Sequence, residues 1–205
     1  MVDKICNWLM ARVRAKMPEV DEERAEVIRY GFELIIGEVP KLIVMFIIAL
    51  LLGKIKLFLI SVAIICPYRT FSGGIHLKTH IGCFISTNLL YLGNVYISEI
   101  VRFESLGYKI IFTIIAFVFA TIMIIANVPA DTDTVPILIK RDRNKKKIES
   151  FICIVILMAF EFVIEDRIIS NMCVIGVLLQ TLTITRMSYK IFGVKPGYLE
   201  YIKSL

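Results

Sequence analysis

The chain has 205 residues, 58% of them hydrophobic, and a formal net charge of +6. That apolar share lies well above the roughly 45–50% of soluble domains, so a purely soluble globular chain is excluded and an integral membrane protein is expected. Five cysteines, at positions 6, 66, 83, 153 and 173, show no paired spacing, which argues against a disulfide framework.

No cleavable signal peptide is expected, because the N-terminus is charged rather than carrying a short apolar run before a small-residue site. Ile5, Trp8, Leu9, Val13 and Met17 share one helical face, with Lys4, Arg12, Arg14 and Lys16 around them. Such a helix either lies on the membrane surface or packs on its own protein. Pro18 ends it, and Asp21 is placed to cap a second helix through Ala25, Ile28, Phe32 and Ile35. Residues 1–36 are therefore read as an N-terminal amphipathic helical region, and 37–205 as the membrane domain.

Leu42 to Leu52 and Leu57 to Cys66 are the first two apolar runs, parted by Gly53-Lys54-Ile55-Lys56. Each falls short of the roughly 20 residues a spanning helix needs. They are either spans extended by their flanks, such as Ile35 to Leu52, or a hairpin that enters and leaves by one side. Both readings return the chain to the side on which it began.

The next stretch, Arg69 to Cys83, gathers both histidines, the Gly73-Gly74 pair, a cation and a thiol. A thiol becomes a useful nucleophile as the thiolate, which an adjacent imidazole or a helix N-terminus favours. Seven residues along one helix would hold His76 and Cys83 roughly 10 Å apart, so a His–Cys pair requires His76 on a loop. Gly73-Gly74 permits that loop. Thr79 is placed to cap a helix starting near His80, which puts Cys83 in its first turn. The helix-start N–H groups near Ile81 to Cys83 are the expected oxyanion donors. Asp131, Asp133 and Ser72 are candidates to orient His76.

Ile81 to Val101 is a full-length span. Its polar residues Cys83, Thr87, Tyr91, Asn94 and Ser98 fall on one stripe. That stripe either lines a groove for a substrate segment or bonds helix to helix inside a bundle. Ile110 to Val128 follows, and then a loop at 129–150 carries six cations among the eight residues from Lys140 to Lys147. By the positive-inside rule this loop is cytoplasmic, serving as a topology signal that touches anionic lipid or as a dock for an acidic partner. Phe151 to Ile164 and Met172 to Thr185 are the last runs. Glu161 is either an interfacial side chain or a functional carboxylate, and its place near the end of a run favours the first. Arg186, Lys190, Lys195 and Lys203 bring the C-terminus back inside. The expected fold is an all-α, polytopic helical bundle of about six apolar segments.

The pattern Arg69-x4-Gly74-x-His76-x6-Cys83 resembles the AgrB family of bacterial quorum-sensing peptidases. So do Gly37-x3-Lys41-Leu42-Ile43-Val44-Met45 and the Pro129…Pro136-Ile137 loop leading into the basic cluster. The resemblance runs in the same order over nearly the whole chain. It implies a membrane-embedded cysteine endopeptidase that cleaves an AgrD-type propeptide through a thioester and cyclises it to a thiolactone or lactone. Cys83 would be the nucleophile and His76 its base, on the cytoplasmic side of the bacterial cell membrane. Arg69 and Gly74 match motif positions. The cluster of Lys140, Arg141, Arg143, Lys145, Lys146 and Lys147 would hold the substrate's acidic tail, with Thr87 and Tyr91 along the stripe. A homodimer is implied; no cofactor, metal or nucleic acid is. Rival readings are a zinc peptidase using His76, His80 and Cys83, which lacks the Glu of H-E-x-x-H, and a transporter or non-catalytic scaffold.

Overall fold

The computed structural model describes residues 2–17, 19–75, 77, 79–132 and 137–198, without the side chains of residues 2–4, 23, 33, 34, 38 and 80. No strand occurs among the described residues; the fold is an all-α membrane bundle. Among the described residues, four helices are long and apolar enough to cross a membrane. The chain divides into two compact units at Gly53 and Lys54.

The first unit is a helical pair, α1 (Val2–Lys16) and α2 (Glu22–Leu51). Asp21 caps α2 by accepting the Arg24 N–H, and Arg14 reaches Glu22 at 2.8 Å. Cys6 and Met10 are buried, whereas Ile5, Trp8 and Met17 of the expected apolar face are exposed. Helix α2 passes residue 36 and Pro40 without a break and ends at a left-handed Gly53. The first apolar run is therefore the end of one 30-residue helix, extended by its N-terminal flank. A proline deprives one carbonyl of its donor but leaves the rest of the helical ladder intact.

The second unit holds α3 (Ile55–Ser72), α4 (His80–Ile100), α5 (Leu106–Asn127), α6 (Lys140–Val163), α7 (Arg167–Thr183) and the short α8 (Arg186–Ile191). Helix α3 likewise continues through Pro67, so the second run reaches Ser72 rather than stopping at Cys66. Helix α7 is the axis, touching each of α3 to α6, and residues 170–177 along it are all buried. Close approach is possible because Gly176 lacks a Cβ, which would sit 3.1 Å from both Asn94 Nδ2 and Ile64 Cγ2. Outward faces are the apolar ones: Ile111, Ile115, Val118 and Ile122 of α5 and Ile152 and Ile156 of α6 are exposed. That inversion suits lipid, where outward apolar surface costs nothing.

Polar residues on the α4 stripe divide. Asn94 and Ser98 are fully buried, and Asn94 Nδ2 donates to Ser61 Oγ of α3 at 3.1 Å. Asn171 of α7 donates to the Ser98 carbonyl at 3.2 Å. This half of the stripe bonds helix to helix.

Alternating helix direction gives the bundle two distinct ends. At one end the N-termini of α3, α5 and α7 meet the C-termini of α4 and α6. Lys54 pairs with Glu99 there, and Arg167 donates to the Val101 carbonyl. Glu161 is also at this end and is fully buried, not interfacial: Lys109 Nζ lies 3.7 Å from its carboxylate and Thr113 Oγ1 donates to it at 2.9 Å. Breaking a buried pair strands a charge at a cost of roughly 3–5 kcal/mol, whereas replacing both members is close to neutral. Lys109→Met is therefore expected to lower the thermal midpoint in detergent sharply, and Lys109→Met with Glu161→Met to recover most of the loss. A Lys109→Met protein as stable as wild type would contradict the pairing.

Candidate active site

The opposite end gathers the C-termini of α3, α5 and α7 with the N-termini of α4 and α6. Leaving α3, Gly73 takes φ 74° and runs parallel to Ala130, the residue reached after α5. Gly74 N–H donates to the Ala130 carbonyl at 3.0 Å, and Ala130 N–H to the Ser72 carbonyl at 2.9 Å. Ile75 N–H then reaches the Thr183 carbonyl at 3.2 Å, at the end of α7. A Cβ on Gly73 would stand 2.5 Å from the Ala130 oxygen, and one on Gly74 2.7 Å from Thr183 Oγ1. Only glycine fits either place.

Gln180 of α7 closes this knot. Its side chain is fully buried, with Nε2 donating to the Gly73 carbonyl at 2.8 Å and to Ser72 Oγ at 3.1 Å. Its Oε1 accepts from Arg69 at 3.3 Å, and Arg69 also donates to the Ile75 carbonyl at 3.0 Å. Beside it the Tyr68 and Thr181 hydroxyls meet at 3.0 Å. Arg69 and Gly74, singled out by the motif, are thus parts of one scaffold. Ser72 belongs to it too, as a backbone and Gln180 partner. Gln180 was not found from sequence, because its partners lie 107 to 111 residues away.

His76 lies outside the described residues, as does the side chain of His80. Thr79 caps α4 as expected, its hydroxyl accepting the Gly82 N–H at 3.1 Å. Cys83 falls in the first turn, is half-buried, and gives its N–H to the Thr79 carbonyl at 3.0 Å. Two of the three N–H groups expected as oxyanion donors, those of Gly82 and Cys83, are therefore already engaged by Thr79. Gly82 is a further residue the sequence reading passed over, since a Cβ there would meet Thr79 Oγ1 at 2.7 Å. Thr87 stays one turn from Cys83, bonded to its carbonyl at 2.8 Å. Tyr91 does not join them: it is buried edge-on against Phe58 at 6.0 Å.

The basic cluster is not one surface. Lys146 Nζ donates to the Thr70 carbonyl at the end of α3, and Lys147 Nζ to the Ile125 carbonyl at the end of α5. Cations at helix C-termini complement the dipole there. Lys145 pairs along its own helix with Glu149 at 3.7 Å. Arg143 binds Asp131 at 3.0 Å, and Asp131 Oδ2 also accepts the Ile137 N–H. Asp131 Oδ2 thereby holds a cation and a backbone donor; Asp133 lies outside the described residues. Lys140 and Arg141 are exposed.

The knot predicts a contrast between glycines. Gly73→Ala combines a left-handed backbone with a backbone clash and is expected to cost about 1–3 kcal/mol. Gly93→Ala, in α4 with nothing near its missing Cβ, is expected to be neutral or to gain about 0.5–1 kcal/mol. Thermal unfolding of the two variants in detergent checks this; equal midpoints would contradict it.

The profile of the family Accessory gene regulator B matches residues 2–184. Among relatives that are AgrB-like by name, one from Clostridium acetobutylicum is 24% identical over 179 residues, covering 87% of this chain and 83% of its own. Another, from Listeria innocua, is 26% identical over 186 residues, covering 89% and 86%. One from Clostridium beijerinckii reaches 39% over 64 residues, 31% of this chain and 32% of its own. No solved structure matches the chain. With the match running from the first helix to the end of α7, the chain belongs to the accessory gene regulator B family, AgrB.

Proposed function

We propose that this chain is a membrane-embedded cysteine endopeptidase that cleaves an AgrD-type propeptide and closes the retained part into a ring. One observation carries the reading most. The only stretch holding both histidines also holds a thiol, and this thiol sits in the Thr79-capped first turn of α4, just beyond a strap anchored to the turn after α5 and the end of α7. Gly74 and Ile75, bonded to Ala130 and Thr183, and Thr79, which caps α4, bracket His76 in the sequence.

Cys83 Sγ attacks the scissile carbonyl carbon while His76 takes the thiol proton. The C–N bond then breaks, His76 returns a proton to the leaving amine, and the N-terminal part of the substrate remains as a thioester on Cys83. A thiol or hydroxyl within that bound part attacks the thioester carbonyl, forming the ring and releasing Cys83 as a thiol. Exchange of one thioester for another is close to isoenergetic, so ring closure outruns hydrolysis only where water is excluded and the internal nucleophile is held close.

The cation-rich end, with Lys140, Arg141, Arg143, Lys145, Lys146, Lys147, Arg186 and Lys190, is placed on the cytoplasmic side by the positive-inside rule. Both termini are read on that same side, in keeping with an even number of apolar runs and the cations that follow the last one. A homodimer in the cell membrane follows from the family resemblance.

Coexpression with a peptide that carries an acidic C-terminal tail, read by intact mass, tests the chemistry. Wild type is expected to release the tail and show a substrate adduct on Cys83. Cys83→Ala should lower processing by about 10³-fold or more, and His76→Ala by about 10²–10⁴-fold. Activity is expected to survive a chelator. Full processing by Cys83→Ala, or its loss on chelation, would contradict the thiol mechanism and favour a zinc site.

A further inference from the structure

A cavity of about 570 Å³ opens beside the knot, within the range of roughly 300–1,000 Å³ typical of ligand sites. The turn after α5, including Pro129, Ala130 and Asp131, forms one wall, and α8 with the segment that follows it forms another. Its floor is built and fully paired. Tyr189 donates its hydroxyl to the Asp131 carbonyl at 3.0 Å, and burial, with the Asp131 carboxylate adding to it, pushes that hydroxyl up. It remains a neutral donor at physiological pH. Arg143 bonds the Asp131 carboxylate and lays its guanidinium 4.1 Å from the centre of the Tyr198 ring.

Three cations line this space, Arg143, Arg186 and Lys190, against one carboxylate, Asp131, which Arg143 already neutralises. Arg186 and Lys190 are exposed and lie four residues apart on one face of α8, about 5–6 Å between Cβ atoms. Sequence reading used these two only as topology charges. By contrast Lys146 and Lys147 of the basic cluster are spent on helix ends. Ala130, which anchors Gly73-Gly74, is also part of the cavity wall, so a chain lying in it leads directly to the strap.

We infer that this cavity, with Arg186 and Lys190 at its rim, is the receptor for an acidic segment of the peptide substrate. The identity of the peptide as substrate rests on the peptidase reading; the binding itself does not need the chemistry. A peptide is favoured over a lipid headgroup because the cavity is walled by prolines and tyrosines and runs into the strap, whereas exposed Lys140 and Arg141 already offer an open cationic surface.

Binding of a fluorescent Glu-rich peptide and of its Gln counterpart is measured by anisotropy, using full-length Cys83→Ala protein in phosphatidylcholine nanodiscs. The Glu peptide is expected to bind more tightly, and Arg186→Gln with Lys190→Gln to weaken it about tenfold, the scale of two partly screened ion pairs. Arg186→Glu with Lys190→Glu is expected to switch preference to a Lys-rich peptide, a gain that a misfolded protein would not show. Equal binding of the Glu and Gln peptides, or undiminished affinity in the neutral double variant, would overturn the inference. So would displacement of the peptide by phosphatidylglycerol together with an effect of the variants on lipid retention alone, which would mark a lipid site. Because the protein used lacks the thiol, binding without cleavage by wild type would sink the peptidase reading and leave the receptor standing; cleavage by wild type without binding here would do the reverse.

Discussion

The carboxamide of Gln180 ties α7 to the stretch from Arg69 to Gly73 in a place shielded from water. It donates to the last turn of α3 and to the diglycine, and accepts from Arg69, while the diglycine itself bonds the turn after α5 and the end of α7. In a low-dielectric interior each such bond is strong and each missing partner costly, so the network favours one arrangement of the strap over many. The strap's rigidity therefore comes from α7, the axis of the bundle, rather than from its own sequence. The Cys83 backbone is held separately, by the Thr79-capped start of α4.

A division of labour runs along the bundle. Several interior polar groups bond across helices: Asn94 with Ser61, Asn171 through Nδ2 with the Ser98 carbonyl, Glu161 with Lys109 and Thr113. Outward faces are left to aliphatic residues. Cations are concentrated at the end that carries Cys83, and there they take different roles. Some terminate helices, Arg143 ties the Asp131 turn to α6, and Arg186 and Lys190 border the cavity.

What could be read in the sequence was mostly what is local. The Thr79 cap and the position of Cys83 followed from spacing of three and four residues, and Asp21 capped α2 for the same reason. The first two apolar runs were shorter than their helices, because α2 and α3 continue through flanks that carry Pro40 and Lys41 in α2 and Pro67 and Arg69 in α3. Nothing local marked Gln180, and nothing in the cluster from Lys140 to Lys147 showed that its members serve different carbonyls on different helices. Glu161 looked interfacial from its place in the run; its burial depends on Lys109 and Thr113, about fifty residues earlier. Tyr91 shared a helical stripe with Cys83 yet packs on Phe58, since a stripe along 21 residues of helix faces different neighbours at different depths.

The proposed peptidase chemistry requires the His76 side chain to meet the sulfur of Cys83. It is tested most directly by replacing Cys6, Cys66, Cys153 and Cys173 with alanine, introducing His76→Cys, and measuring disulfide formation with Cys83 under mild oxidation in membranes. Rapid, near-complete bridging is predicted, since a disulfide forms without backbone movement only where Cα atoms lie within about 7 Å. Failure to bridge, in a protein whose thermal midpoint matches wild type, would contradict the account.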